Sequence, residues 1–258
     1  MGEPGFWDDQ SEAAKVSSEH SRVTRRLERY DRLVREYEDA RELLSLDGDM
    51  ADDIVTMLQP LRAELDRLQE DALFTGEYDT GDALMSLHAA TGGIDAQDFT
   101  EMLLRMYLRW ASERGFQTEV LEATAGEEAG LKSATVSFAG ENAYGILKAE
   151  RGKHRLVRLS PFDQAHRRHT SFSQVVVAPL LPDDTELERR EEELARERGE
   201  VLDTGFGSQI RSYVLHPYQL VKDHRTDVEE GNAQAVLDGR LDEFIRAYLL
   251  ARATAAAE

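Results

Sequence analysis

Apolar residues recur at helical spacing through the first seventy-odd positions of the chain. Val16, Val23, Tyr30, Tyr37 and Leu44 return every seven residues, Leu27 and Val34 fill the seam between them, and charges occupy most of the rest. This pattern predicts a long helix from Ser11 to about Ser45. A polar turn, LDGDMADD at positions 46–53, precedes a second seam of Ile54, Leu58, Leu61, Leu65, Leu68 and Ala72. Steps of four and three are those of a left-handed helix pair, and two such helices joined by a short loop form an antiparallel hairpin. The reading is a coiled spacer or interaction arm rather than a catalytic element, with Phe6 and Trp7 beside Pro4 stapling its start.

The pattern changes at Thr75–Asp82. Leu84–Ala89 is short and apolar enough for a strand, and Thr91-Gly92-Gly93 breaks it. Asp95–Arg114 then reads as an amphipathic helix carrying Phe99, Met102, Leu103, Met106, Tyr107 and Trp110 on one face, with Asp95 in the first turn and Gly115 as the stop. Four further strands are predicted, Gln117–Ala123, Lys132–Ala139, Tyr144–Ala149 and Thr170–Ala178, the middle two joined as a hairpin by GENAYG. Pro179 and Pro182 end the last of them. Thr185–Arg198 is almost wholly charged and reads as an exposed connector helix held by Glu–Arg pairs. Strand-like alternation around Ile210, Tyr213 and Leu215 needs a neighbouring strand to bury it, so this segment is expected to rejoin the sheet. A helix from Leu237 to about Ala251 follows, with an alanine-rich tail expected to fray. The fold class is α+β: a helical hairpin arm, then a sheet with a helix on one face, then a C-terminal helix.

Composition narrows the function classes. The hydrophobic fraction of 41% supports a real core, and the absence of cysteine excludes disulfides, thiolate metal sites and thiol nucleophiles. No apolar run approaches the ~20 residues of a bilayer span, and MGEPGFWDD lacks the basic and apolar regions of a secretory leader. A cytoplasmic protein with no membrane partner is expected. The net charge of −20 makes one stretch stand out. Between Lys153 and Phe172, KHRLVRLSPFDQAHRRHTSF places Lys153, Arg155, Arg158, Arg167 and Arg168 against the single acid Asp163. Ser160, Phe162, His169, Thr170 and Phe172 interleave hydroxyls and rings with these cations. Cations hold phosphates, rings stack on bases and hydroxyls read base edges, so the island is a candidate RNA contact as well as a solvated face. No HExxH, phosphate loop or GxSxG elbow is present, and His216, Asp223 and His224 read as ordinary polar residues. No metal or cofactor is expected.

Three blocks carry a family resemblance: HRLVRLSPFDQAHRRHTSF, the earlier TGGIDAQDFTEMLLRMYLRWASERGF, and the later GSQIRSYVLHPYQLVKDHRT with NAQAVLDGRLDEFI. In this order they resemble the bacterial release factor 2 family, class I factors that read UGA and UAA. The resemblance implies that Ser160-Pro161-Phe162 is the tripeptide distinguishing this reader, with the Ser160 hydroxyl accepting either purine at the second base. It implies that His169 stacks between the second and third bases, that Thr170 contacts them, and that Gly92, Gly93 and Asp95 form the loop and helix tip reading the first uridine. Arg167 and Arg168 are then expected on RNA phosphates. The implied partners are the ribosomal A site and decoding centre, the mRNA stop codon and ribosomal RNA, with the arm reaching the stalk base and the protein acting as a monomer.

Departures from the family pattern matter as much. The family carries its chemistry on a Gly-Gly-Gln loop in a separate domain, and no Gly-Gly-Gln occurs in this chain; Gly92-Gly93 precedes Ile94. By block order that domain would fall between Asp184 and the connector helix. The implied organisation is an arm at 1–76, a decoding domain at 77–184, a connector at 185–200 in place of the catalytic domain, and the C-terminal part of the decoding superdomain at 201–258. Codon reading without peptidyl-tRNA hydrolysis, hence no enzymatic activity, is expected of a competitor, regulator, rescue adaptor or truncated form. The alternative is a non-decoding acidic module that holds a ribosomal or other protein through the arm. The family also has a helix ahead of Pro4-Gly5-Phe6-Trp7, so a two-helix arm is expected here. Gln164-Ala165-His166 replaces a small, usually glycine-containing turn, and Asp95 stands one methylene short of the family's usual Glu.

Overall fold

A computed structural model of the chain describes residues 10–46, 51–74, 76, 78–180 and 209–257. The Phe6–Trp7 staple and the connector at 185–198 lie outside the described residues. The chain divides into two compact units, Met1–Ala72 and Leu73–Glu258.

The first unit contains α1 (Gln10–Leu46) and α2 (Ala51–Ala72). The helices run antiparallel, with Leu33 and Ala40 of α1 and Ile54 of α2 buried. Glu64 of α2 forms ion pairs with Arg32 and, at 3.6 Å, Arg29 of α1. The seven-residue seam differs from expectation: Val23, Leu27, Tyr30, Tyr37 and Leu44 are exposed. Leu33 is three residues on from Tyr30 and Ala40 three on from Tyr37, so the contact face is rotated away from the predicted stripe by about 60° at 100° per residue. The small side chain of Ala40 suits close approach there, and the bulkier stripe is left at the edge of the pair.

Among the described residues, the second unit is built on one eight-stranded sheet in the order β2-β3-β1-β5-β4-β6-β7-β8. Its strands are β1 (Asp82–Ala89), β2 (Gln117–Ala125), β3 (Leu131–Ala139), β4 (Gly152–Leu159), β5 (Arg168–Leu180), β6 (Gln209–Val214), β7 (Leu220–Asp223) and β8 (Glu229–Glu230). The helix α3 (Ile94–Arg114) lies on the sheet and buries Phe99, Leu103, Met106, Tyr107 and Trp110 against Met85 and Leu87 of β1, Val136 of β3, and Val175 and Val177 of β5. The alternation of Met85 and Leu87 and the three-and-four spacing of α3 meet in one core, the expected sheet-on-helix arrangement. Gly115 caps α3 in a left-handed conformation (φ 79°), its N–H returning to Ala111 and Ser112 carbonyls.

Two sequence expectations are corrected. Tyr144–Ala149 is not a strand, and no hairpin joins it to β3. It forms α4 (Ala143–Leu147) and a 3₁₀ turn at Lys148–Glu150. Amides that a strand would offer to a neighbour are instead taken by the preceding loop, Tyr144 N–H by Gly81 O at 3.0 Å and Gly145 N–H by Asp79 O at 2.9 Å. A short apolar run does not distinguish strand from buried helix. The strand lies further on, as β4, inside the basic island: His154 and Leu156 face inward while Lys153 and Arg155 are partly exposed. The C-terminal helix is likewise divided, into α5 (Ala233–Leu237) and α6 (Asp242–Ala257). Gly239 separates them at φ 119°, where an added Cβ would lie 3.0 Å from the Trp110 amide nitrogen. The alanine-rich tail continues α6 to Ala257.

The segment after 208 does rejoin the sheet: β6 pairs in parallel with β4, Leu156 opposite Tyr213. A buried ionic cluster binds this return. Arg211 of β6 makes two 2.7 Å hydrogen bonds to the Glu150 carboxylate and a 3.2 Å contact with Asp223 of β7. Arg211, Glu150, Asp223 and His154 are all inaccessible to solvent. The Tyr107 hydroxyl donates to Glu150 at 3.0 Å, and Arg225 adds a 2.8 Å bond to Asp223. Burial opposes the charge on Glu150, but Arg211 outweighs it and holds the carboxyl below its ordinary range. Burial pushes His154 down to about 4, leaving it neutral.

Candidate nucleic-acid interface

The site forms where the tip of α3 meets the β4–β5 hairpin. Gly92 (φ 136°) and Gly93 (φ 60°) turn the chain from β1 into α3. A Cβ on Gly92 would lie 2.8 Å from Ser171 Oγ, so only glycine lets this turn pass β5. Gly93 caps α3 through its carbonyl, which accepts the Ala96 and Gln97 amides at 3.1 and 3.2 Å, and no side chain caps the helix. The end of α3 therefore presents backbone N–H donors and the positive end of the helix dipole.

β4 and β5 pair from Gly152–Val175 to Leu159–Arg168, and the Ser160 amide closes the loop on Arg167 O at 3.0 Å. Asp163 organises the turn. Its carboxylate accepts the Ala165 amide at 3.1 Å, the Arg167 amide at 3.3 Å and Arg167 Nε at 2.7 Å. These bonds, Arg167's side chain foremost, hold the Asp163 carboxyl well below the usual carboxylate range. His166 occupies a left-handed position (φ 47°), its N–H donating to Asp163 O at 2.8 Å. The backbone there has the conformation that a glycine would adopt without strain.

Asp95 joins the two halves. It is buried in the first turn of α3. Its carboxylate accepts Arg158 Nη2 of β4 at 3.0 Å and pairs with His169 Nδ1 of β5 at 2.9 Å, and the Ser160 hydroxyl donates to it as well. Burial alone would raise its pKa; the three hydrogen bonds reverse the sign and lower it. His169 stands between two carboxylates, with Nε2 at 3.3 Å from Asp163 Oδ2. Arg158 also reaches Asp98 at 2.6 Å and lies 5.9 Å from the Phe162 ring centroid. The arrangement fixes an imidazole, a hydroxyl and a phenyl ring about one buried acid, beside the open end of a helix. Such a surface can stack on bases and hydrogen-bond their edges.

Of the residues expected at a codon site, Asp95, Ser160 and His169 share one hydrogen-bond network, and Phe162 joins it through Arg158. Gly92 and Gly93 adjoin it through the α3 tip. Pro161, Thr170 and Arg168 are exposed around it. Two findings differ from the expected display. Ser160 is only 1% exposed, with its oxygen also accepting the Phe162 amide at 3.2 Å. Arg167 is engaged by Asp163 rather than standing free. Sequence reasoning counted Arg158 and Asp163 only as charges. Their roles were detectable in part: a lone acid four residues before an arginine in a turn is a pairing signal.

The chain as a whole resembles known proteins. The PCRF domain family matches residues 1–175. The chain is similar to peptide chain release factor 2 of Thermomicrobium roseum, 39% identical over 318 residues that take in 96% of this chain and 85% of the relative. Similarity to peptide chain release factor 2 of Clostridium perfringens is 36% over 321 residues, with 96% and 89% covered. Among solved structures, release factor 2 of Thermus thermophilus superposes with a TM-score of 0.67 at 33% identity, over 99% of this chain and 92% of that one. These similarities span nearly the whole chain, and the chain belongs to the peptide chain release factor 2 family.

Proposed function

We propose that this protein enters the ribosomal A site, recognises UGA or UAA in the decoding centre, and does not hydrolyse peptidyl-tRNA. The observation that carries codon reading is the network about Asp95, which places Ser160 and His169 at the tip of α3. In this reading His169 and Phe162 supply stacking surfaces, Ser160 and Thr170 supply hydroxyls, and the α3 tip at Gly92, Gly93 and Asp95 receives the first uridine. Pro161 stiffens the loop, and Arg168, with Arg167 once released from Asp163, meets RNA phosphates. The arm, residues 1–76, turns toward the stalk base, and the protein acts as a cytoplasmic monomer on mRNA and ribosomal RNA.

The absence of hydrolysis rests on sequence. No Gly-Gly-Gln tripeptide exists in the 258 residues. The alignment to the Thermomicrobium relative runs over 318 residues, longer than the chain itself, so the relative fills positions that this chain does not. Residues 185–200 stand as a connector between the decoding domain at 77–184 and its C-terminal part at 201–258. Ribosomes programmed with UGA, UAA or UAG and carrying labelled peptidyl-tRNA test both claims. Binding on UGA and UAA, much weaker binding on UAG, and no release above background are expected. Appreciable release sinks the first claim, and codon-blind binding sinks the second.

A second reading follows from the burial of Ser160: the hairpin serves structure alone, and the protein is an acidic module that binds a ribosomal or other protein through its arm. Ser160→Ala and His169→Ala separate the readings, since ribosome affinity on UGA falls at least tenfold under codon reading and is unchanged under the second.

A further inference from the structure

α3 covers one face of the sheet. β5 sends Ser173 to that side, where its hydroxyl meets Thr100 of α3 at 2.9 Å, and His154 and Leu156 of β4 are buried there too. Side chains alternate along a strand, so Arg155 of β4 and Arg168, Thr170 and Phe172 of β5 stand on the far face. Arg168 and Thr170 are exposed on it, and Arg155 and Phe172 are half-buried. In register, Arg155 lies between Phe172 of β5 and Ser212 of β6, while Arg168 lies opposite Leu159. Lys153, opposite Gln174, adds a third cation to the face.

These charges are not balanced where they stand. Among the described residues no acid pairs with Arg155 or Arg168, whereas Arg158 and Arg167 are held by Asp95, Asp98 and Asp163. The far-face positions of β4, β5 and β6 contain no acid. On β1 the one acid, Asp82, accepts the Gly140 amide at 2.9 Å. Lys222 of β7 continues the row beyond Ser212, but Asp227 and Glu229 take it at 3.0 and 2.8 Å. At the β2 edge the sign reverses. An irregularity between Val120 and Glu122 sets Glu119 opposite Ser137 and Glu122 opposite Thr135, which brings both carboxylates to the far face. In a chain of net charge −20, this face thus runs from an acidic rim at β2 to a cationic strip along β4 and β5.

The strip selects its occupant by charge and by shape. It attracts a polyanion, and the acidic rim keeps that polyanion to the line of β4 and β5. An acidic protein would find charge there but little apolar area to anchor on beyond Leu159 and Phe172. A nucleic-acid strand finds more: cations for phosphates, the Phe172 ring for a base, and Thr170, Ser212 and Gln174 for polar edges. Arg155 and Arg168 are four pairs apart, about 13 Å along the strands, so they reach different phosphates. The Phe172 ring can stack only on an unpaired base, which favours a single strand over a duplex.

We infer that the far face along β4 and β5 binds single-stranded RNA without regard to sequence, with Arg155 and Arg168 on phosphates and Phe172 stacked on a base. The surface is separate from the codon network, whose Asp95 and His169 lie on the α3 side.

The test uses the full chain and fluorescein-labelled oligouridylate of about twelve nucleotides, within the range a single-strand groove covers. Fluorescence anisotropy should show affinity falling about tenfold between 50 and 200 mM KCl. Arg155→Ala should reduce the slope of log affinity against log salt by about 0.7, the share of one single-strand phosphate contact, and Arg155→Lys should retain it. Arg155→Gln replaces the alanine variant if urea unfolding shows that alanine disturbs the fold. Phe172→Leu should weaken binding about tenfold with the slope unchanged. No binding at 50 mM KCl, an unaltered slope without the Arg155 charge, or equal binding of an RNA duplex of the same length overturns the proposal. So does displacement by polyglutamate at equal charge concentration, because an acidic peptide then serves as well. Oligouridylate contains no stop codon, so codon-blind ribosome binding would sink codon reading and leave this result standing.

Discussion

At the scale of single residues, the β4–β5 hairpin carries a local conflict at His166. A left-handed backbone costs a side chain with a Cβ about 1–2 kcal/mol, part of which glycine would give back through its freer unfolded chain. His166→Gly should therefore raise stability by somewhat under ~1 kcal/mol, and His166→Val should lower it, as read from urea midpoints. The family resemblance implied a bulky residue where a small one is usual, but only φ 47° shows what that residue strains. Asp95 was legible as a helix-tip acid. Its burial and its bonds to Arg158 and His169 join residues more than sixty positions apart, which no local pattern encodes. A second residue-scale expectation concerns His154, whose pKa falls from 6.5 to about 4. The folded state refuses a proton that the unfolded state accepts, so stability is full above pH 6.5 and declines as pH drops toward 4. At ~1.4 kcal/mol per pKa unit the loss is about 3 kcal/mol. Asp95, Glu150 and Asp223, all lowered, add further losses as pH falls through and below the ordinary carboxylate range. Urea titrations at pH 7, 5.5 and 4 check this, and His154→Gln should flatten the slope between pH 6.5 and 4.

At the scale of elements, α3 and β1 were legible because their periods are clean and their apolar faces complete. β4 was not, because its alternation is written in Lys153 and Arg155, with Arg158 close behind, and looks like a charge cluster before it looks like a strand. The same charges now have separate assignments: Arg158 turns to Asp95 and Asp98, while Lys153 and Arg155 stay on the partly exposed face of the strand. α4 was misassigned because its amides are satisfied by residues 79–81 rather than by a neighbouring strand. The union of β6 with β4 depends on more than ladder bonds. Glu150→Ala leaves Arg211 buried and short of its main partner, a defect of about 3–5 kcal/mol. It should lower the urea midpoint of the second unit by that measure. A Glu150→Gln change, which keeps shape and one acceptor, should cost less, so the charge itself is what the comparison reads.

At the scale of the molecule, the α+β class and the two-part layout were readable from the switch between seven-residue and two-residue periods, and family membership from three motif blocks. The face that α1 turns to α2 was not readable, because two apolar stripes lay side by side and only the packing of Ala40 and Leu33 chose between them. The strand order carries one more consequence. β5 leaves the sheet at Leu180 and β6 enters it at Gln209, and β5 runs antiparallel, β6 parallel, to the single strand β4 between them. Exit and entry are therefore at the same end of the sheet, like two posts of one gate. Whatever is carried between such posts need not enter the ladder, so the strands on either side can keep their register with or without a domain between them. Replacing residues 185–200 by a small folded domain with adjacent termini should leave the unfolding midpoint of the second unit within about 0.5 kcal/mol of its original value.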